Sequence, residues 1–326
     1  MTATSAMVKI RSAVRSELSE CSAGDTIIVA CSGGADSLAM SFAIAREAKK
    51  LAIQVVGITI DHQLQEGSSA QAEKVIEQFK TMGIDTSEIV SVVVDLTDGM
   101  EASARRARYA ALNSSAEKYG AKKIFLGHTR DDQAEGVLLG LARGSGARSL
   151  SGMAPRNGAY IRPLLNISRA QTVAACAEVE LTPWNDPQNN DQEFLRVKVR
   201  EVLLPALEEG IGPGVAEALA RSAKLLRDDA DALDEWAERE FAHLEKASLD
   251  ISALEKMPKA VRTRVLRMAV YAAGAPQGSI SADHVSAIEA LVTNWHGQGA
   301  CDLPGGVKVW RLSGRLSLLA PSSNPT

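Results

Sequence analysis

The stretch TIIVACSGGADS, Thr26 to Ser37, is an apolar, β-branched run that stops at a pair of glycines. Short unbroken runs of Val and Ile bounded by turn residues are the pattern of strands buried on both faces. Glycines placed directly after such a strand let the backbone turn with positive φ and approach a ligand, while the free N–H groups of a following helix point at an anion. The stretch therefore predicts a strand, an anion-binding turn built from Ser32, Gly33, Gly34, Ala35 and Ser37, and then a helix.

Working outward, the same alternation repeats. Further strand candidates are Ile53–Ile60, Glu88–Val94 and Lys123–Gly127, and helical candidates are Ser37–Lys50, Ser69–Met82, Glu101–Tyr119 and Asp131–Arg143. Ala72, Val75, Ile76 and Phe79 have the spacing of one helix face, and Gly83 and Gly120 stand where helices should stop. Strands alternating with helices predict an α/β fold with a doubly wound parallel sheet. EEGIGPG, Glu208 to Gly214, reads as a linker or hinge. Beyond it the pattern predicts a smaller, mainly helical C-terminal domain, so the expected domains are residues 1–210 and 211–326. That domain starts with a long helix, Val215–Leu244, whose apolar stripe is Leu219, Leu225, Leu226, Leu233, Trp236 and Phe241. It ends in a hairpin or meander over Cys301–Ala320.

Composition narrows the function classes. With 326 residues, 45 % apolar and 23 % charged, the chain is of soluble globular type, and an aromatic share of 4 % leaves the core to Ala, Val, Leu and Ile. A net charge of −4 excludes a strongly basic footprint overall. Charge is clustered, however: Arg143, Arg148, Arg156, Arg162 and Arg169 lie in a segment, Arg143 to Ala170, without Asp or Glu. That segment is either a solvated loop or a face turned toward a polyanion. Cys21, Cys31, Cys176 and Cys301 form no C-x-x-C pair, which argues against a zinc or dithiol centre and for reduced thiols. No run approaches the ~20 apolar residues of a membrane span, and no signal peptide is evident, so a cytoplasmic protein is expected.

The turn after the first strand is neither G-x-x-x-x-G-K-[ST] nor G-x-G-x-x-G. Instead Asp36 sits inside it, where a carboxylate repels phosphate unless a cation intervenes. Asp36 therefore suggests Mg²⁺ held between protein and pyrophosphate. The alternative is a helix N-cap made by Ser32 or Ser37, with Asp36 favouring the helix dipole.

S-G-G-x-D-S after the first strand resembles the pyrophosphate loop of the N-type ATP pyrophosphatases. Four further motifs occur in order: Asp61-His62-Gln63-Leu64; Glu101-x-x-x-Arg105-x-x-Arg108-Tyr109; Gly127-His128-Thr129-Arg130-Asp131-Asp132-Gln133-Ala134-Glu135; and Arg162-Pro163-Leu164-Leu165. With Arg196-x-x-x-Arg200-x-x-x-Leu204-Pro205, the set over roughly Asp25 to Leu207 resembles the tRNA(Ile)-lysidine synthetase family in its short form.

The resemblance implies an adenine nucleotide alpha hydrolase-like fold, with ATP and Mg²⁺ as cofactors. It implies adenylation of C2 of the wobble cytidine in a minor isoleucine tRNA with a CAU anticodon. Attack by free L-lysine would then yield lysidine, with AMP and pyrophosphate released. It assigns Asp36, His128, Asp132, Glu135 and Arg196 to catalysis, with Asp36 on the metal, and Ser32–Ser37, His62, Arg108 and Gly127 to the nucleotide. Asp132 and Glu135, one turn apart, are carboxylates for a cationic lysine, and Arg108, Arg196 or Arg200 offer charge to pyrophosphate or adenylate. The C-terminal domain would recognise tRNA, through residues such as Lys256, Lys259, Arg262, Arg264 and Arg267; no membrane is involved, and a homodimer is admissible. The chain departs from the family pattern at Gly136 for threonine, Gln63 for glycine, Gln65 for arginine and Val197 for asparagine.

The rival reading is another ATP pyrophosphatase with this loop, a tRNA thiolase or an amide-forming synthetase. A thiolase would need sulfur-carrying or cluster-binding cysteines, and the GHxxDDQxE segment fits the synthetases poorly. A non-catalytic nucleotide or tRNA binder would not need Asp36, His128, Asp132 and Glu135 together.

Overall fold

The computed structural model describes residues 5–63, 67–93, 100–185 and 194–319, the side chains of 100 and 101 excepted. Gln65 and the side chain of Glu101 thus lie outside the described residues, as do Leu64 and Val94. The contacts divide the chain into two compact units, 1–226 and 227–326.

In the first unit the strands β1 (Thr26–Ala30), β2 (Gln54–Asp61), β3 (Thr86–Ser91) and β4 (Lys123–Leu126) lie within two residues of the expected starts. Two short strands that the pattern did not reveal, β5 (Arg156–Asn157) and β6 (Tyr160–Ile161), complete a six-stranded sheet of order β3-β2-β1-β4-β6-β5. All pairings are parallel except the β5–β6 edge. Each of these two edge strands has only two residues, too few for an alternation to show.

The helices are α1 (Ala6–Leu18), α2 (Ala35–Lys50), α3 (Ser68–Met82), α4 (Met100–Tyr119), α5 (Arg130–Ala142), α6 (Ala147–Leu150), α7 (Arg169–Glu178), α8 (Leu195–Lys198) and α9 (Leu204–Ile211), with a π-helical turn over Val199–Leu203. Successive β1 residues serve opposite layers, as a pleated strand requires. Ile27 and Val29 join the core formed with α1, α2, α3 and α7, whereas Ile28 packs with Leu112 of α4 on the other face. The helix α1 escaped the sequence reading although Met7, Ile10, Val14 and Leu18 carry the helical spacing and are buried. Among the described aromatic side chains only Phe79 and Phe125 appear with the largest fully buried ones, in line with an aliphatic core.

The expected linker is partly helical, because α9 continues to Ile211; the turn is confined to Gly212–Gly214, where Gly212 and Gly214 have positive φ. Glu208 reaches across it and accepts the N–H groups of Gly214 and Ala216 at 2.6 and 3.1 Å. The helix α10 (Val215–Ala242) follows, and the division between units falls inside it. Its buried positions are Ala223, Ala230 and Ala237, seven residues apart, while Leu225 and Trp236, expected on the apolar stripe, are exposed.

The second unit holds α11 (Ile251–Lys256), α12 (Lys259–Ala272) and α13 (Ala282–Thr293) with an antiparallel sheet of order β7-β10-β9-β8. Here β7 is Ser248–Asp250, β8 Cys301–Asp302, β9 Lys308–Leu312 and β10 Arg315–Leu319, so the expected tail meander gains a fourth strand. Arg262, expected on a solvated or phosphate-facing strip, is instead buried, donating to Glu289 at 2.8 Å and to the Met257 carbonyl at 2.8 Å. Lys256, Lys259 and Arg267 remain exposed.

Candidate active site

The strand order reverses direction between β1 and β4, and in open α/β sheets ligands bind at the carboxyl ends of strands flanking such a point. The turn after β1 and the turn after β4 meet there. A Cβ added to Gly127 would lie 2.9 Å from the Ser37 Cα and 3.0 Å from its nitrogen, so only glycine lets the end of β4 rest on the phosphate loop. Gly33 has φ +88°, and a side chain there would press on Gln71 and Val75 of α3. The loop is further tied down by the Trp184 N–H on the Gly33 carbonyl at 2.8 Å.

Gly34, not a serine, is the N-cap of α2, and no side chain caps that end. Ser37 instead braces the loop from within, donating to the Gly34 carbonyl at 3.0 Å and accepting the Ser32 N–H at 3.2 Å. The serine-cap alternative is thereby replaced, and the first-turn N–H groups of α2 are left to a ligand. Cys31 and Cys176 lie beneath this loop as buried free thiols, against the Ser37 hydroxyl and the Ala35 carbonyl at 3.4 Å each. Burial raises the Cys176 thiol to about 11, which leaves it unreactive.

Asp36 is half-buried. Its carboxylate accepts the Thr172 hydroxyl and the Arg169 Nε at 3.4 Å. Burial pushes its pKa up, against the pull of Thr172 and Arg169, and the charge of Asp132 adds to the rise. A hard divalent ion that shares its coordination with phosphate oxygens and water needs only one or two carboxylates. Asp36 fits that demand, and among the described residues no group of three or more His, Cys, Asp or Glu forms an all-protein metal site.

Asp132 and Glu135 stand one turn apart on α5. Asp132 closes a capping box with Thr129, accepting its N–H at 2.7 Å and its hydroxyl at 3.0 Å, and it lies 3.4 Å from Arg169 Nη2. Although burial acts to raise its pKa, the Thr129 N–H and the charge of Arg169 hold it below the ordinary value. Glu135 has no exposed surface. It receives Arg200 through two contacts, Nε at 2.7 Å and Nη2 at 3.1 Å, with Arg169 and Arg196 each 3.7 Å away. Burial raises its pKa and Arg200 opposes the rise. Of the expected basic strip, Arg196 and Arg200 therefore face the site and Lys198 is exposed. The π-helical turn that contains Arg200 is a distortion frequent at functional sites.

His128 and His62 are both held neutral. Burial lowers His128 to about 4, with the guanidiniums of Arg162, Arg108 and Arg105 acting in the same direction against Asp132. Burial and then Arg108 lower His62. The Nδ1 atoms of both rings are buried without a protein partner, as expected of groups that await a polar ligand. Tyr109 joins the basic residues: its hydroxyl accepts Arg162 Nη2 at 3.1 Å, and Arg105 lies over its ring.

The acid-free arginine segment is divided between surface and site. Arg156 pairs with Glu17 and Glu20, Arg162 is buried, Arg169 enters the carboxylate cluster, and Arg143 and Arg148 are exposed. Arg169 and Thr172 were missed as site residues; the legible signal was the capping box Ser168-x-x-Gln171, which announces a helix start beside them. At the departures, Gly136 has open space beyond its Cα, Gln63 adopts φ +54° where the family has glycine, and Val197 is buried.

The model of the PP-loop domain matches residues 6–207, and that of the TilS substrate binding domain matches residues 249–317. A tRNA(Ile)-lysidine synthase of Thermobifida fusca is 48 % identical over 313 residues, 95 % of this chain and 97 % of the relative. One of Streptomyces coelicolor is 50 % identical over 295 residues, 89 % of this chain and 84 % of the relative. Among solved structures, the U34-tRNA thiolase NcsA of Methanococcus maripaludis, with its [4Fe-4S] cluster, superposes with a TM-score of 0.57 at 20 % identity, over 68 % of this chain and 79 % of that one. That likeness concerns the fold alone.

Proposed function

The chain belongs to the tRNA(Ile)-lysidine synthase family, and we propose that it joins L-lysine to C2 of the wobble cytidine in isoleucine tRNA with a CAU anticodon, through an adenylated tRNA. The observation that carries this reading is the meeting of the Asp36 loop with the Asp132–Glu135 helix at one strand edge. It sets the glycine loop after β1 beside an acidic cluster, which supports a phosphate site next to an amine site.

ATP would lay its phosphates on the N–H groups from Ser32 to Ser37, with Gly127 permitting close approach. Asp36 would hold Mg²⁺, which supplies neutralisation of the β- and γ-phosphates. The C2 oxygen attacks the α-phosphorus and pyrophosphate leaves, a charge build-up that Arg108 and Arg196 offset. The lysine amine then bonds to C2 and AMP departs with the bonding electrons. Asp132 attracts the ammonium; the proton lost on attack passes to Asp132 or to neutral His128, which lie together. Glu135 acts through its arginines, holding Arg200 and Arg196 in place. The segment matched by the substrate-binding model would recognise the tRNA, with exposed Lys256, Lys259 and Arg267 on its phosphates.

The thiolase alternative lacks support in the site: the two cysteines near the loop are buried, and one has a strongly raised pKa. The test is incorporation of labelled lysine with ATP and Mg²⁺ into minor isoleucine tRNA bearing a CAU anticodon. Label confined to that tRNA supports the reading. Sulfur transfer, or pyrophosphate release driven by another acceptor, overturns it.

A further inference from the structure

The Arg169 guanidinium spends its three nitrogens on three carboxylates. Nε lies 3.4 Å from Asp36, Nη2 3.4 Å from Asp132 and Nη1 3.7 Å from Glu135. None of these contacts has the 2.7–2.9 Å length usual for charge-assisted hydrogen bonds. Arg200, by contrast, grips Glu135 at 2.7 Å. Arg169 is thus placed at the charge centre of the cluster rather than fitted to any one member of it.

Its backbone is held far more firmly than its head group. The Arg169 N–H donates to Asp131 at 2.9 Å, Ser168 caps the helix beneath it, and Thr172 fastens the same turn of α7 to Asp36. The side chain can therefore exchange partners while α7 stays docked.

We propose that Arg169 is a built-in stand-in cation: its guanidinium occupies the place that substrate-borne positive charge takes among Asp36, Asp132 and Glu135, and cedes it on arrival of that charge. The inference rests on the lysidine-forming reading for its two sources of charge, the divalent ion that accompanies ATP and the ammonium of lysine. Each takes a carboxylate of this place that Arg169 now contacts, the ion Asp36 and the ammonium Asp132. Two cations cannot share it at such distances without strong repulsion. The displaced guanidinium remains beside the Asp36 loop, where phosphate charge accumulates. Arg169 is accordingly a positioning residue that keeps the acidic cluster assembled between turnovers.

The test is thermal unfolding of the full chain and its Arg169→Gln variant, without nucleotide or tRNA. One arm adds MgCl₂, a second L-lysine, and a third norleucine, which lacks the side-chain ammonium. A ligand that binds only the folded state raises Tm, by roughly 2–4 °C for each kcal/mol in a unit the size of the first one, residues 1–226. The proposal expects Mg²⁺, lysine or both to raise Tm of Arg169→Gln by at least about 2–4 °C more than that of the wild type. Norleucine should raise neither. A response in the Mg²⁺ arm alone assigns the place to the divalent ion, and in the lysine arm alone to the ammonium; both support the proposal. Equal shifts in variant and wild type in both arms overturn it. Should Arg169→Gln fail to fold, Mn²⁺ binding to Arg169→Met and wild type, followed by electron paramagnetic resonance, reads the same contrast with the side-chain cation removed. Tighter binding to that variant supports the proposal and equal binding overturns it. Lysine incorporation by the wild-type preparation is scored separately, so failure of this inference is distinguishable from failure of the proposed activity.

Discussion

Arg200 meets Glu135 with two nitrogens, Nε at 2.7 Å and Nη2 at 3.1 Å, although 65 residues separate them in sequence and the carboxylate is fully buried. Breaking such a pair from one side strands a charge and costs about 3–5 kcal/mol, whereas removing both partners costs less. Glu135→Gln and Arg200→Met are each expected to lose about 3 kcal/mol in urea unfolding. The double variant should lose clearly less than the sum. Additive losses would show that the two side chains are energetically independent.

Two glycines near the site should respond oppositely to alanine. At Gly127 the new Cβ would sit 2.9 Å from the Ser37 backbone, which cannot yield without moving the phosphate loop. Gly127→Ala should weaken ATP binding at least about tenfold and cost about 1–3 kcal/mol of stability. At Gly136, inside α5, nothing lies within 4 Å of the added atom. Gly136→Ala should stabilise the protein by about 0.5–1 kcal/mol and leave ATP affinity unchanged. Calorimetric titration with ATP and denaturation curves check both.

Asp36 is expected to separate chemistry from tRNA binding. Asp36→Ala should abolish pyrophosphate release while tRNA affinity in a filter-binding assay stays within about threefold, under 1 kcal/mol. Equal loss of both would make Asp36 a structural residue, holding Thr172 and α7 rather than a cation.

A pH dependence comes from the other end of α2. Glu47, almost fully buried, accepts Arg11 at 2.7 Å, Arg15 at 2.9 Å and Lys50 at 3.1 Å, and these partners hold its carboxyl at about 2. Hydrogen bonding to Arg15 leads the effect and outweighs burial, which acts to raise it. Because the folded pKa lies below the unfolded one, this stability is present above pH ~4.5 and drains away as the pH falls toward 2. A shift of that size is worth about 3 kcal/mol, lowered to about 2 kcal/mol by solvent screening of the exposed arms of Arg15 and Lys50. Unfolding of wild type and Glu47→Gln, compared at neutral pH and at pH ~3, should show the difference between them shrinking in acid. A constant difference would refute the assignment.

Much of the first unit was readable in the chain because it is locally encoded. The β1 run, the glycines of the loop and the apolar spacing of α3 act over a few residues, through φ, ψ and helical or pleated period. Elements of two residues, such as β5 and β6, fell below that signal, and the buried alanine line of α10 was outweighed by larger residues, of which Leu225 and Trp236 stay exposed. Gly127 was marked by its motif, yet its reason, contact with the Ser37 backbone, was not visible.

The sequence by itself determined the alternating α/β organisation, the anion loop with its unusual Asp36, and the order of motifs that places the chain in its family. Only the tertiary structure decided who answers each charge. Asp36 meets Arg169 and Thr172 across 133 and 136 residues, Glu135 is taken by Arg200, and Arg162 and Arg262 leave the surface to hold carbonyls and side chains. The reason is physical. A turn or a helix start is settled by neighbouring residues, but a charge buried from water must find its partner wherever packing brings one within a few ångströms.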